Sequence, residues 1–480
     1  MWNEPSRNSA CKKKLHSCRP QEERKIETQR TLRRRWIEPC DPTSLQSGVR
    51  QLLADKVSGN LVGLWLLIPE HLRLGTWDLL CGWSGQPGDH VEPRLALQLV
   101  HEAALCSSGV RHRRALSQRG FELANGLPFV ASDSAVHALL AEHTVAEAQR
   151  LQVALGQIRR TAGDFVGQLL AIDPHRLHSY SKRQMRRFRT DPKSRPFKAA
   201  PTFFALDPDT HQPVCFTTAT SAQTATTAGI ELLRLAAEIL APQPGQTLVM
   251  ADLEHLAAEF FRHVQTQTPF DLLVPMKNEP WLQKQLRAIP AERFTRRWAG
   301  FATLTRPYRM AQRETKDLVQ FVQRSGEKPE EYHFKAFLST TAREEVDTLS
   351  RDYPKRWHVE EFFNAHQALG WKRAGTLNLN IRYAQMTMAL LAQAALHRLR
   401  RRLGEPFATW DAGHLAKSLL GGLEGDVRVA GDTIVVTYYN APNVERLQQH
   451  YEGLPKRLEH EGVSPHIPWL YDFKLDFRFR

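Results

Sequence analysis

The sequence lacks the features that mark secreted, disulfide-bonded or membrane-spanning proteins. It has six cysteines in 480 residues and no Cys-x2-Cys pair, which argues against a disulfide framework in a chain of this length. Its longest apolar runs, residues 60–68 and 386–396, are shorter than the roughly 20 residues that a spanning helix needs. The N-terminus carries no apolar core of the kind found in signal peptides. We therefore expect a cytoplasmic protein.

The charge of the chain is unusual, whereas the rest of its composition is ordinary. Hydrophobic residues make up 42% and charged residues 24% of the sequence, the values of a globular protein. The formal net charge is +14 and the sequence pI is about 9.6. Such an excess of cations attracts polyanions through counterion release. Nucleic acid is therefore the leading expected partner, and an anionic membrane surface is the second.

The length is that of two to four domains, and the sequence pattern divides the chain into four segments. Residues 1–40 are rich in Lys and Arg, which is typical of a flexible basic arm. Residues 41–163 repeat apolar residues at helical spacing, which predicts a helical N-terminal domain with either a DNA-binding or a structural role. Residues 164–404 alternate strand-like and helix-like runs, which predicts an α/β fold with a mixed sheet. Residues 405–480 form a C-terminal segment with further strand-like and helix-like runs.

Two acids of the α/β segment end apolar runs that we predict to be strands. Asp173 closes the run 165–173, and Asp252 closes the run 247–252. Active sites of open α/β sheets gather at the carboxyl ends of the strands. An acid at this position is also a common turn residue or helix cap, so the pattern by itself leaves both roles open.

A predicted helix that begins near Tyr353 places three polar side chains on one face. Pro354 is tolerated at the first helical position and disfavours helix in the residue before it, so Tyr353 stands at the helix start. At about 100° per residue, Arg356, Glu360 and Gln367 lie within roughly 40° of one another. A solvated helix face with an ordinary i, i+4 ion pair has the same pattern.

The densest basic run of the chain follows Asp173 directly, in residues 176–198. Charge runs usually form solvated surface, but the position of this one beside a candidate catalytic acid favours a groove for the DNA backbone. Its members include Lys182, Arg183, Arg186 and Arg187.

The segment that begins at Tyr353 resembles a signature of known enzymes. The spacing of Tyr353, Arg356 and Glu360 is similar to the Tyr-x2-Arg-x3-Glu-x6-Lys signature of cut-and-paste DDE transposases from bacterial insertion sequences, and the neighbours Trp357, Glu361 and Phe362 fit it as well. The lysine of the family falls on Gln367. The string 251–255, which holds Asp252, also resembles the segment around the family's second acid.

The resemblance implies a ribonuclease-H-like catalytic domain over residues 164–404. In it Asp173, Asp252 and Glu360 would be the three acids that hold two divalent metal ions. Hard oxygen ligands select Mg²⁺ or Mn²⁺, and two such ions neutralise charge on the attacking and leaving oxygens of a phosphodiester. Asp164 and Asp191 are the alternatives for the first acid, and neither of them ends an apolar run.

The resemblance also implies how DNA would be held. Tyr353, Arg356 and Gln367 would contact phosphates. The interval between the second and third acids exceeds one helix and one strand, which implies a strand-rich insertion at about residues 277–335. In this insertion Trp298 is a candidate to stack on an unpaired base, as an insert tryptophan does in related hairpin-forming transposases. Burial in the core is the alternative role.

The expected function is therefore cleavage and strand transfer at the inverted-repeat ends of an insertion sequence. The resemblance further implies a homodimer on double-stranded DNA, with residues 405–480 as a possible dimerisation segment, in the bacterial cytoplasm and on the nucleoid when bound to DNA. Two other functions are compatible with the sequence: a decayed or domesticated derivative that binds DNA without cutting it, and another ribonuclease-H-like nuclease.

Overall fold

The structure is a computed structural model of the 480-residue chain. It describes residues 41–59, 61–107, 116, 118–179, 182, 184–185, 187–189, 193–219, 224–310, 317–371, 373–374, 376 and 378–480. The predicted basic arm and three candidate residues, Arg183, Arg186 and Asp191, lie outside the described residues.

The described residues between 41 and 161 are mainly helical because their apolar residues recur at helical spacing and polar side chains cap several of the helices. Asp41 caps the first helix, Ser132 caps the sixth, and Thr144 forms a capping box with Glu147 at the seventh. The elements are α1 (Pro42–Ala54), β1 (Val57–Gly59), α2 (Ile68–Arg73), α3 (Thr76–Ser84), α4 (Val91–Ala104), α5 (Arg119–Ala124), α6 (Asp133–Glu142) and α7 (Val145–Thr161).

A large mixed sheet follows, with helices inserted between its strands in the sequence. Its first elements are β2 (Leu169–Ser179), β3 (Arg187–Phe188), β4 (Phe197–Asp207), β5 (Gln212–Thr218), α8 (Ala225–Leu240), β6 (Leu248–Ala251), α9 (Ala258–Gln267) and β7 (Asp271–Pro275). Strand β2 pairs antiparallel with β4 and parallel with β6, and β6 pairs parallel with β7. Helix α8 packs on β4 and β5. The predicted mixed α/β architecture is confirmed.

Strand β2 is longer than the sequence pattern indicates. The predicted strand ended at Asp173, but β2 continues to Ser179 because β4 provides antiparallel partners as far as His178. Its parallel pairing with β6 stops earlier, at Ile172 opposite Ala251. Asp173 therefore lies within a strand, at the point where one of its two neighbours ends.

Residues 277–335, predicted as an insertion, contain strands that extend the same sheet. The elements from here to Ser339 are α10 (Pro280–Arg287), β8 (Thr295–Trp298), β9 (Phe301–Tyr308), β10 (Leu318–Ser325) and β11 (His333–Ser339). Strand β11 pairs with β7, so that the order β7-β11-β10-β9-β8 continues the sheet outward in antiparallel steps.

The C-terminal part packs against the N-terminal helices. Its elements are α11 (His358–His366), β12 (Arg373–Ala374), α12 (Leu379–Leu403), α13 (Ala412–Leu415), β13 (Glu424–Ala430), β14 (Thr433–Tyr439), α14 (Val444–Tyr451), α15 (Leu454–His460), β15 (His466–Ile467) and β16 (Phe473–Phe479). Strand β1 joins the edge of the second sheet, in the order β1-β13-β14-β16-β15. Trp65, Tyr383 and Trp469 are buried in one hydrophobic cluster, so residues on both sides of the predicted boundaries at 163 and 404 share a core. None of the described helices combines the length and hydrophobicity that crossing a membrane requires.

Candidate active site

Two of the predicted acids are neighbours because β2 and β6 run parallel. Ile172 pairs with Ala251, so Asp173 and Asp252 each follow the last residue of that pairing. Asp252 also caps the turn after β6: its Oδ1 accepts a hydrogen bond from the Glu254 backbone N–H at 3.1 Å and lies 2.7 Å from Nδ1 of the buried His255. The cap role and the sheet-end position, which the sequence left as alternatives, coexist in this residue.

The segment that carries the signature is not the single α-helix that was predicted to begin near Tyr353 and to include Gln367. A wide π-helical stretch, Asp347–Asp352, is followed by a tight 3₁₀ turn, Tyr353–Trp357, and only then by α11. Pro354 explains the change, since it has no N–H to continue the hydrogen bonds of the preceding turns. Such π-helical stretches occur often at functional sites. Gln367 lies where α11 ends, and its Nε2 is 3.5 Å from Asn364 Oδ1.

Arg356 joins the first and third acids. Its Nη1 donates to Asp173 Oδ1 at 2.6 Å, and its Nη2 lies 4.0 Å from Glu360 Oε1. The side chains of Arg356 and Asp173 are 15% and 14% exposed, whereas that of Glu360 is 37% exposed. The guanidinium thus spans two carboxylates that are far apart in the sequence but close together in the fold.

Tyr353 fixes the signature segment against the sheet. Its hydroxyl donates to the Ala251 carbonyl at 3.4 Å, next to Asp252, and its ring lies edge-on against Phe337 with centroids 4.8 Å apart. Burial raises the pKa of Tyr353, so the hydroxyl keeps its proton and remains a donor at neutral pH. The tyrosine and the arginine of the signature therefore contact the strands that carry the other two acids.

The surroundings of Asp173 change the pKa of its carboxyl group strongly. Burial raises its pKa to about 7, the negative charges of Asp252 and Glu360 act in the same direction, and Arg356 opposes them. Burial outweighs the arginine even at the 2.6 Å separation of the ion pair. The influence of Asp252 and Glu360 on this carboxyl indicates that the three acids share one electrostatic environment.

The donor chemistry of the site fits a hard divalent cation, since all three side chains offer carboxylate oxygens. Within the described residues, however, no three side chains of His, Cys, Asp or Glu are arranged to hold a metal ion. The Arg356 guanidinium lies between Asp173 and Glu360.

Other predicted DNA contacts lie at two places on the surface. Trp298 is 47% exposed and stacks on Phe301, with ring centroids 4.1 Å apart and planes 7° apart, so it is not a core residue. Lys182 and Arg187 are both exposed. Asp164, the alternative first acid, is buried in an ion pair with Arg159 and precedes β2.

Sequence reasoning missed the contacts that hold the signature segment from the other side. The turn between β4 and β5 provides them: Asp209 Oδ1 accepts from Lys355 Nζ at 2.6 Å, the Pro208 carbonyl lies 2.8 Å from His358 Nδ1, and the rings of His211 and His358 stack at 4.1 Å. These partners are about 150 residues apart in the sequence, and no local pattern marks them.

Comparisons with known proteins decide the family. A family model described as the transposase DDE domain matches residues 165–424, which is more than half of the 480 residues. The chain belongs to the DDE transposase family. The transposase has no match among the curated proteins. Among solved structures it is similar to the piggyBac transposase in a synaptic complex with hairpin DNA, with 10% sequence identity and a TM-score of 0.41 over 76% of this chain and 82% of that one. The predicted DDE transposase is confirmed, while the bacterial insertion-sequence branch stays a prediction.

Proposed function

We propose that this transposase cuts DNA at the inverted-repeat ends of an insertion sequence and joins the freed strand to target DNA. Asp173, Asp252 and Glu360 are the proposed metal ligands and catalytic acids. The observation that carries the proposal is the Arg356 guanidinium, which contacts Asp173 and lies 4.0 Å from Glu360. Arg356 connects the first acid to the signature segment. Tyr353 connects the same segment to the strand that precedes Asp252.

The order of the central strands supports a ribonuclease-H-like catalytic domain. In space the order is β5-β4-β2-β6-β7, with the first three strands antiparallel and the last two parallel to β2. We propose residues 164–404 as this domain, with residues 277–335 as an insertion that lengthens its sheet. The flanking segments, 41–163 and 405–480, are proposed to bind DNA and to pair two subunits.

The chain's own residues have distinct proposed roles. Two Mg²⁺ or Mn²⁺ ions, when bound by the three acids, supply charge neutralisation for the attacking and leaving oxygens. Arg356 exchanges Asp173 for a DNA phosphate, since a guanidinium pairs with either anion through two N–H groups. Tyr353 holds the segment in place. Gln367 is shorter than lysine and carries no charge, so it does not repeat the phosphate contact of the family's lysine.

Two surfaces would guide the DNA toward these acids. The exposed Lys182 and Arg187 follow Asp173 in the sequence and are proposed to contact the backbone, together with Arg183 and Arg186. Trp298, exposed at the end of β8, is proposed to stack on an unpaired base. Stacking of this kind is worth about 1–3 kcal/mol per base.

Cleavage of DNA that carries the two ends of the chain's own element tests the proposal. We expect the wild-type protein to cut at the ends with Mg²⁺ or Mn²⁺, and Asp252→Ala and Glu360→Ala to bind the same DNA without cutting it. Binding without cutting by the wild type would indicate a decayed derivative. Cutting that survives both substitutions would mean that other residues carry the chemistry.

A further inference from the structure

A second cluster of charged residues lies at the C-terminal end of α12. A cavity of about 350 Å³ opens there, lined by Ala162, Asp164, Arg398, Arg401 and Arg402. Cations at a helix C-terminus are favoured by the exposed carbonyls, so a structural role is the first explanation. A structural role alone does not explain the excess of positive charge around the cavity.

One carboxylate faces three guanidinium groups. Asp164, with a side chain 1% exposed, lies 3.4 Å from Arg159, 3.4 Å from Arg401 and 4.0 Å from Arg398. Charge-assisted N–H···O bonds are usually about 2.7–2.9 Å long, and none of these contacts is that short. A single carboxylate leaves an excess of two positive charges.

Arg159 has other partners, whereas Arg398 and Arg401 of α12 have few. Arg159 donates to the Pro213 carbonyl at 2.7 Å and to Gln212 Oε1 at 2.8 Å, which accounts for it as a structural residue. Arg398 Nε is buried without a hydrogen-bond partner among the described residues. The Arg401 side chain is 61% exposed. The Arg401 side chain is therefore accessible to a ligand in the cavity, and Arg398 adds positive charge beside it.

The neighbouring acids do not offset this excess. Glu70 and Glu461 each contact both Arg402 and Arg73, at distances of 2.5–3.3 Å, so these two acids balance those two arginines. His397 adds no charge because burial, followed by the nearby arginines, lowers its pKa to about 3. The positive charge that remains belongs to Arg398 and Arg401.

We propose that Arg398 and Arg401 form a second phosphate site, which binds a DNA backbone phosphate remote from the catalytic acids. Two guanidinium groups with free N–H donors match the oxygens of a phosphate. Asp164 lies before β2 in the sequence. Asp173 lies on β2, four residues beyond the first residue of the strand, Leu169, which corresponds to about 13 Å. None of the residues that line this cavity is one of the three candidate catalytic acids. The identification of the ligand as DNA rests on the proposed function. Binding at the site itself requires only a phosphate group.

The test measures the affinity for a short duplex of arbitrary sequence against salt concentration, by fluorescence anisotropy. Each lost phosphate contact lowers the slope of log K against log [salt] by about 0.9. Because both arginines hold the same phosphate, we expect a decrease of up to about 1 for Arg401→Gln and of about 1 in total for Arg398→Gln/Arg401→Gln. Arg401→Lys should keep most of the wild-type slope. Arg234→Gln is the matched control, since Arg234 is 52% exposed on α8 and lies outside the cluster.

A second arm uses inorganic phosphate alone and follows the thermal unfolding of the same proteins. Unchanged slopes, together with a phosphate-induced rise in Tm that Arg401→Gln loses, would assign the site to free phosphate. Unchanged slopes and no phosphate-dependent rise in Tm would overturn the proposal. Arg401 is largely exposed, so this variant is expected to fold even if the double variant does not. Failure of the wild type to bind DNA would instead contradict the proposed function, and the phosphate arm would still decide the site.

Discussion

Replacing Asp173 by Asn is expected to stabilise the transposase at alkaline pH while it abolishes cutting. Burial raises the pKa of Asp173 from 3.8 to about 7. Between these values the folded chain keeps a proton that the unfolded chain releases, so the stability of the wild type falls as the pH rises through this interval. Each pH unit is worth up to about 1.4 kcal/mol, and the ionised carboxylate therefore destabilises the fold by about 4 kcal/mol at about pH 8.

Asparagine cannot ionise, so Asp173→Asn should behave like the protonated wild type at every pH. Urea unfolding from about pH 4 to about pH 8 measures the difference. We expect nearly equal free energies of unfolding near pH 4 and an advantage of the variant that grows to about 4 kcal/mol by pH 8. A variant that is less stable than the wild type at pH 8 would refute the reasoning, because it would mean that the ion pair with Arg356 outweighs burial.

Three further predictions concern other parts of the molecule. Trp298→Ala, at a side chain 47% exposed, should change stability by less than about 1 kcal/mol but weaken binding of DNA with an unpaired base by about 5–150-fold, as measured against a fully paired duplex. Lys182→Ala/Arg187→Ala should lower the salt slope of DNA binding by up to about 2, and an unchanged slope would remove both from the interface. Gly126→Ala, whose Cβ would lie 2.3 Å from the Trp469 carbonyl oxygen, should lower Tm more than Gly75→Ala, which has the same positive φ in open space.

Local patterns were sufficient to predict the two strands that precede the first two acids. The apolar runs before Asp173 and Asp252 predicted β2 and β6, and the parallel order of these strands places the two acids side by side. Sequence did not show that β2 continues past Asp173, since that continuation depends on the pairing partners that β4 provides over residues 199–204.

The distant contacts could not be predicted for a physical reason. The ion pair of Arg356 with Asp173 joins residues 183 positions apart, and the arginine cluster around Asp164 joins the end of α7 to the end of α12. In both cases the sequence around one partner does not identify the distant residue that it contacts. Pro354 predicted a helix that starts at Tyr353, whereas α11 starts at His358, and no local pattern indicated the 3₁₀ turn or the π-helical stretch before it.

The most direct measurement of the central claim is metal rescue of DNA cleavage. Asp252→Cys replaces a hard carboxylate by a softer thiolate, which binds Mn²⁺ better than Mg²⁺. We predict that this variant cuts element-end DNA with Mn²⁺ but not with Mg²⁺, while the wild type cuts with both. Equal activity of the variant with the two ions, or wild-type cutting that persists without any divalent ion, would contradict the assignment of Asp252 as a metal ligand.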